Sequence, residues 1–284
     1  MKQRLITSTV GIAIALAVFV MHNTIVLPLV LALITDIILF ELARAVQGRK
    51  FRLAMTGYMI YGAGELVLEY FRNTVPDSIV VQTISHLLLP LCLLTLFIEF
   101  LWHHGEYQIE QLSFMGGAMV FVAWSLKKLV TLNYFDRHGL FYLVLALCGA
   151  WIADSGAYFC GVALGKKKLC PNISPKKTVE GFVGGLISNA VVFLGLFWGY
   201  AMLWHVEFHA SVGVRAALLG LVCAPISVVG DLVFSVIKRE KGIKDYGKIM
   251  PGHGGLTDRF DSVLFVVPAF YLFVQSFPVF KEMM

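Results

Sequence analysis

The feature that most restricts what this chain can become is a succession of apolar stretches, each about as long as a membrane is thick. A helix needs about 20 mostly apolar residues to cross the hydrocarbon. By that rule the sequence predicts nine spans, near residues 5–22, 25–46, 54–71, 79–101, 112–130, 139–163, 180–204, 212–236 and 260–277. The first is short, and the third is interrupted by Gly62 and Gly64. Only 14% of the residues are charged and 58% are hydrophobic, whereas a soluble domain carries roughly 25% charged residues. The expected class is therefore an all-α integral membrane protein. The first apolar run follows Met1-Lys2-Gln3-Arg4 directly, with no small-residue cleavage site before the next run, so no removable signal is expected.

Parity of the spans predicts an orientation. With a cytoplasmic N-terminus, nine spans place all but six of the 23 Lys and Arg residues on the cytoplasmic side. The six are Arg72, Lys127, Lys128, Arg137, Arg215 and Lys281. That asymmetry follows the positive-inside rule. Lys127 and Lys128 fit it worst and are expected to snorkel or to face a cavity. The net charge of +5 does not point to nucleic acid, because the lysines sit in loops between helices and suit anionic headgroups or nucleotide phosphates better. The five cysteines form no C-x-x-C pair, so buried free thiols are expected, without a disulfide or zinc framework. No internal repeat or low-complexity linker is visible. The chain divides by content into residues 1–135, with spans one to five and no readable chemistry, and residues 136–284, with two polar loops at 164–180 and 237–260.

The second of those loops lies in the most polar run of the chain, Ser235 to Asp261. It carries a hydroxyl, Lys238-Arg239, Lys244-Asp245, a Pro-Gly-His-Gly-Gly turn, and Asp258-Arg259-Phe260-Asp261. Glycines let backbone approach a ligand and point N–H groups at anions. Lysine and arginine complement phosphate, and clustered carboxylates hold hard cations. Together they suit a metal-bound polyphosphate at a membrane surface.

The first loop belongs to the block Trp151–Gly185. Ser174-Pro175-Lys176-Lys177-Thr178 reads as a helix start, with Ser174 or Thr178 as cap and Pro175 in the first turn. A helix N-terminus among lysines is a ready anion site; the plainer alternative is a positive-inside loop before a capped helix. Asp231 and Ser235 are four apart and share a helical face. Asp258 and Asp261 are three apart and lie together if the last span begins near Thr257. Asp231, Asp258 and Asp261 are thus expected to converge on one cation, with Asp154 as a further ligand. Oxygen-only donors imply Mg²⁺ or Mn²⁺, with a monovalent cation as an optional companion. The alternative for any single Asp is an ion pair with Arg259 or Arg239. For the set the metal is favoured, because clustered carboxylates repel one another without a cation.

Both blocks resemble the phosphatidate cytidylyltransferase (CDP-diacylglycerol synthase) family. Its signature runs Ser-x-x-Lys-Arg, Lys-Asp-x-Gly, Pro-x-His-Gly-Gly-x-x-Asp-Arg-x-Asp. The match covers Ser235, Lys238, Arg239, Lys244, Asp245, Gly247, Pro251, His253, Gly254, Gly255, Asp258, Arg259 and Asp261 without a gap. Met250 stands where the family usually has Leu, Ile or Phe, a swap that keeps apolar character and volume. In the first block the matches are Asp154, Ser155, Ala157, Tyr158, Gly165, Lys166, Ser174, Pro175, Lys177, Thr178, Glu180 and Gly181. The departures there are Lys176 for the family's Gly and Val179 for its aromatic residue.

The resemblance implies transfer of CMP from CTP to phosphatidate, giving CDP-diacylglycerol and pyrophosphate, by a multi-pass enzyme of the cell membrane with its motif loops in the cytoplasm. It implies phosphate contacts from Lys238, Arg239 and Lys244, with Lys166, Lys176 and Lys177 closing from the other loop. Ser174, Thr178, Ser235, Asp245, Gly254, Gly255 and Arg259 complete the substrate-binding set. His253 is read as a phosphate donor or loop organiser before general base, since a phosphate monoester is already anionic. CTP, phosphatidate and the bilayer are the expected partners, nucleic acid is not, and a homodimer is open to such a chain. A CTP-dependent lipid kinase, or the same transfer to another lipid phosphate, is the near alternative. An ion-coupled transporter using Asp36, Asp154 and Asp231 is the remote one, weakened by the absence of repeated halves. Among the acids of the first half, Glu41, Glu65, Glu69 and Glu99 are expected to be structural, with Glu41 pairing with Arg44 or with headgroups. Asp36 is held as an outside candidate for lining the substrate cavity.

Overall fold

A computed structural model describes residues 2–46, 52–106, 108–252 and 254–280. Its elements run α1 (Lys2–Val20), α2 (Val26–Val46), α3 (Arg52–Thr74), α4 (Ile79–Trp102), α5 (Ile109–Asn133), α6 (Gly139–Leu164), β1 (Lys168–Cys170), β2 (Ser174–Thr178), α7 (Val179–Trp204), α8 (Ala210–Glu240), α9 (Thr257–Phe260) and α10 (Val263–Ser276). Six helices, α2 and α4 to α8, are long and apolar enough to cross a membrane. Their outward faces carry large exposed apolar side chains such as Leu91, Phe97, Phe159, Val191 and Trp198, as lipid-facing helices must. The protein is a multi-pass all-α membrane protein, with one small hairpin as its only sheet among the described residues.

The chain forms two compact units, residues 1–143 with 240–260, and residues 144–239 with 261–284. In the first unit, α2, α3, α4 and α5 pack together. The expected interruption of the third span is not there: α3 runs unbroken through Gly62 and Gly64. Their missing side chains serve packing. A Cβ on Gly62 would press on Thr35, Asp36 and Leu39 of α2, and one on Gly64 would reach Leu88 of α4 at 2.8 Å. Small residues let helices approach in this way where no water drives them together.

The buried acids of this unit have partners. Lys127 does not snorkel; its Nζ lies 2.6 Å from Glu65 Oε2, with both side chains mostly buried. Glu69 takes hydrogen bonds from Arg72 at 2.9 Å and from Thr131 Oγ1 at 2.8 Å. Glu99 accepts the Ala54 N–H at 3.0 Å, satisfying a donor in the first turn of α3. Asp36 sits against Gly62 in the α2–α3 contact.

In the second unit α6 crosses α7 through small residues on both sides. A Cβ on Gly156 would collide with Ser188, one on Gly181 would lie 2.6 Å from the Ala157 carbonyl, and one on Gly185 would lie 2.9 Å from that of Ala153. Between the two helices the chain makes the antiparallel β1–β2 hairpin, pairing Lys168 with Thr178 and Cys170 with Ser174. All five cysteines are free.

Candidate functional site

The expected helix start at Ser174 is corrected by the structure. Residues Ser174–Thr178 are the second strand of the hairpin, and the helix begins only at Val179. Thr178 is the cap: its Oγ1 accepts the Gly181 N–H at 3.1 Å. Glu180, in the first turn, turns back to accept the N–H groups of Lys166 and Lys167 at 3.0 and 3.2 Å. That closure ties the base of the hairpin to α7, and it fixes where the lysines of the loop emerge. Pro175 costs nothing in a short two-stranded ribbon, where few ladder donors are required.

Against this hairpin lies a cavity of about 450 Å³, within the range of small-molecule sites. Asp154 and Asp231 open onto it from α6 and α8, and Lys168, Lys176 and Lys177 from the hairpin. Tyr158, Val162, Leu169, Phe182 and Val228 supply apolar wall. Lys177 Nζ lies 2.6 Å from Asp231 Oδ2, with the two side chains 22% and 27% exposed. Ser235 Oγ, one turn beyond, donates to Asp231 Oδ1 at 3.4 Å, so the four-residue spacing does bring these two together.

Asp154 is held by two hydroxyls, Ser227 at 3.3 Å and Ser262 at 3.4 Å. Ser262 also gives its N–H to Asp261 Oδ1 at 2.7 Å. Asp154, Asp231 and Asp261 are close enough to feel one another's charge, and Lys177 and Lys238 act on them from nearby. The three carboxylates stand with the hydroxyls of Ser227, Ser235 and Ser262, so the groups there that could bind a metal are all oxygen. Oxygen groups of this kind are what a hard divalent cation takes. As they stand, no three acidic, histidine or cysteine side chains among the described residues are gathered around one point. Asp231 is instead engaged by Lys177, which stands where a cation would bring its charge.

The last predicted span is also corrected. One-turn α9 ends at Phe260 and α10 starts at Val263, with Asp261 in the turn between them. Asp258 and Asp261 therefore do not share one continuous helix. The cause is local: the Asp261 carboxylate takes the N–H of the next residue, a bond that competes with the helical ladder. Asp258 belongs to the first unit. Its Oδ2 accepts the N–H groups of Tyr246 and Gly255, both at 2.9 Å.

Around Asp258 the signature run makes a tight loop. Gly252 and Gly254 have φ of 79° and 87°, a region that favours glycine. Gly255 and Thr257 are buried, Lys244, Asp245 and Arg259 are exposed, and Lys238 is half-buried beside exposed Arg239. On the hairpin Lys166 and Lys176 are exposed, Ser174 and Lys177 half-buried, and Thr178 buried. His253 lies outside the described residues. Asp36 is not among the residues lining the cavity.

The expectation that Glu41 pairs with Arg44 or headgroups is overturned. Its carboxylate accepts from Leu256 N, Thr257 N and Thr257 Oγ1 at 3.1, 2.8 and 2.7 Å. Arg44 donates to the Tyr246 carbonyl at 3.1 Å. Sequence reasoning gave Ser227 and Ser262 no role either. The one available signal was a glutamate and an arginine one turn apart near the end of a span, opposite a basic loop.

Carboxylates on helices, lysines on a capped hairpin and an apolar wall line one cavity, and the protein that holds it is a multi-pass membrane protein. Comparison with known proteins narrows this. Residues 2–277 match the model of the cytidylyltransferase family, and the chain belongs to that family. Among similar proteins is a phosphatidate cytidylyltransferase of Bacillus subtilis, 38% identical over 176 residues, which are 61% of this chain and 62% of that one. A phosphatidate cytidylyltransferase of Staphylococcus aureus is 41% identical over 172 residues, covering 59% and 63%. Another from Staphylococcus haemolyticus is 45% identical over 130 residues, covering 46% and 47%. The chain thus spans less than two thirds of the length of each of these relatives.

Proposed function

We propose that this protein transfers CMP from CTP to phosphatidate, forming CDP-diacylglycerol and releasing pyrophosphate. The observation that carries the reading is the cavity in which Asp154 and Asp231 face Lys168, Lys176 and Lys177, in a chain of the cytidylyltransferase family. The names of the relatives add the lipid.

In this reading Asp154, Asp231 and Asp261 hold a divalent cation, Mg²⁺ or Mn²⁺. When bound, such an ion neutralises phosphate oxygens and stabilises leaving pyrophosphate. The hairpin lysines take the nucleotide phosphates, and Lys177 exchanges its Asp231 partner for a phosphate oxygen. Ser227 and Ser262 keep Asp154 oriented throughout. The apolar wall of Tyr158, Val162 and Phe182 accepts the glycerol end of the lipid, whose phosphate oxygen attacks the α-phosphorus of CTP. That oxygen is already anionic, so no side chain need remove a proton from it. Asp258 is assigned to the same chemistry by its place in the Asp-Arg-x-Asp run. The motif loops face the cytoplasm, where CTP is available.

The test is product analysis with purified protein, Mg²⁺, phosphatidate and CTP labelled separately at the α- and γ-phosphates. Label from the α-position in the lipid, with pyrophosphate released, supports the reading. Label from the γ-position in the lipid, with CDP released, identifies a kinase and overturns it.

A further inference from the structure

We propose that Glu41 is a positioning residue of the signature loop, so that α2, which carries none of the signature, sets where Asp258 stands. The proposal rests on the cytidylyltransferase reading above. Glu41 is only 2% exposed, and a carboxylate so buried is stable only with hydrogen bonds to its oxygens. Among the described residues it has three, all from the loop: the N–H groups of Leu256 and Thr257 and the Thr257 hydroxyl. The loop backbone is pressed against it. A Cβ on Gly255 would lie 2.6 Å from both Glu41 oxygens, and a Cβ on Gly247 would collide with Oε1. Glu41 thus requires glycine at both positions.

Arg44, one turn along α2, fixes the Tyr246 carbonyl from the same side. The N–H groups of Tyr246 and Gly255 then converge on Asp258 Oδ2. The path from α2 to Asp258 is therefore continuous: Glu41 and Arg44 hold both ends of the loop, and the loop holds Asp258. The other buried glutamates of this unit bond elsewhere. Glu65 meets Lys127, Glu69 meets Arg72 and Thr131, and Glu99 meets Ala54. That contrast supplies a control, since Glu65→Gln disturbs a buried acid in the same unit without touching the loop.

The experiment uses the full chain in detergent–phosphatidate micelles. It compares the parent with Glu41→Gln, Glu41→Asp, Thr257→Val and Glu65→Gln. Steady-state rates give kcat, both KM values and the Mg²⁺ concentration for half-maximal activity. Hydrogen exchange is followed over residues 247–258, and melting temperature is recorded for each variant.

Glu41→Gln and Glu41→Asp are expected to lower kcat by about 10- to 100-fold, as small misplacements of catalytic groups do. Exchange in the loop should quicken, while KM for phosphatidate stays within about twofold. Thr257→Val should do the same more weakly, and Glu65→Gln should lower only the melting temperature. Unchanged kcat and loop exchange in Glu41→Gln, or equal losses in Glu65→Gln, overturn the proposal. Should Glu41→Gln not fold, Thr257→Val decides, since it removes a single hydroxyl. A parent without activity sinks the functional reading alone, and the exchange comparison still judges the role of Glu41.

Discussion

Replacing Lys177 with methionine keeps most of the side chain's length and removes its charge, and the structure fixes the sign of two separate effects. The ammonium group lies 2.6 Å from Asp231 Oδ2, and the partners are 22% and 27% exposed. Exposed pairs contribute about 0–1 kcal/mol and breaking fully buried ones costs about 3–5 kcal/mol. A pair this sheltered, discounted for solvent, falls near 1 kcal/mol. A lysine contact to phosphate contributes about 1.5–3 kcal/mol.

In the variant, binding of CTP loses the second quantity and no longer has to break the first. The net loss is about 0.5–2 kcal/mol, which raises KM for CTP about 2- to 30-fold. Without nucleotide the effect reverses, because Asp231 has lost its competitor for a cation. Mn²⁺ affinity of the unliganded variant should therefore rise, by about fivefold for 1 kcal/mol. Initial rates against CTP at saturating phosphatidate read the first effect, and paramagnetic resonance of Mn²⁺ titrations reads the second. An unchanged KM for CTP together with unchanged Mn²⁺ affinity would refute the exchange of partners at Lys177.

Other outcomes follow from the same geometry. Asp258→Asn keeps an oxygen that can accept from Tyr246 and Gly255, so folded yield should stay near that of the parent. Turnover should fall by about 100-fold or more, measured as CDP-lipid formed per folded molecule. Gly255→Ala drives a methyl group against the Glu41 carboxylate and should destabilise the fold by about 1–3 kcal/mol, read as a lower melting temperature. Glu180→Ala removes the acceptor for Lys166 and Lys167. It should raise KM for CTP with little change in KM for phosphatidate, because the hairpin lysines lose their anchor.

The helices were legible because length and apolarity alone specify a span. The predicted ends at Val46, Ile79, Gly139 and Trp204 fall at or beside those of α2, α4, α6 and α7. What escaped was set by contacts distant in sequence. Gly62 and Gly64 read as breaks in α3, yet they are places where neighbouring helices press close. Ser174–Thr178 read as a helix start because its residue types suit a cap, and a strand partner at Lys168–Cys170 overrode them. The spacing of Asp258 and Asp261 assumed one helix, which the Asp261–Ser262 bond interrupts. Glu41 stands more than 200 residues before its partners, and no local pattern announces such a bond. Within the candidate site, hydroxyls that orient a carboxylate, such as Ser227 and Ser262, have no signature of their own.

The proposed chemistry requires Asp154, Asp231 and Asp261 to share one divalent ion. Its most direct test is anomalous scattering from crystals of the full chain grown with Mn²⁺ and CTP. A peak in direct contact with carboxylate oxygens of Asp231 and at least one of its two neighbours is the predicted result, with Lys177 turned away to the nucleotide. A peak elsewhere, with Lys177 still paired to Asp231 while CTP is bound, would contradict it.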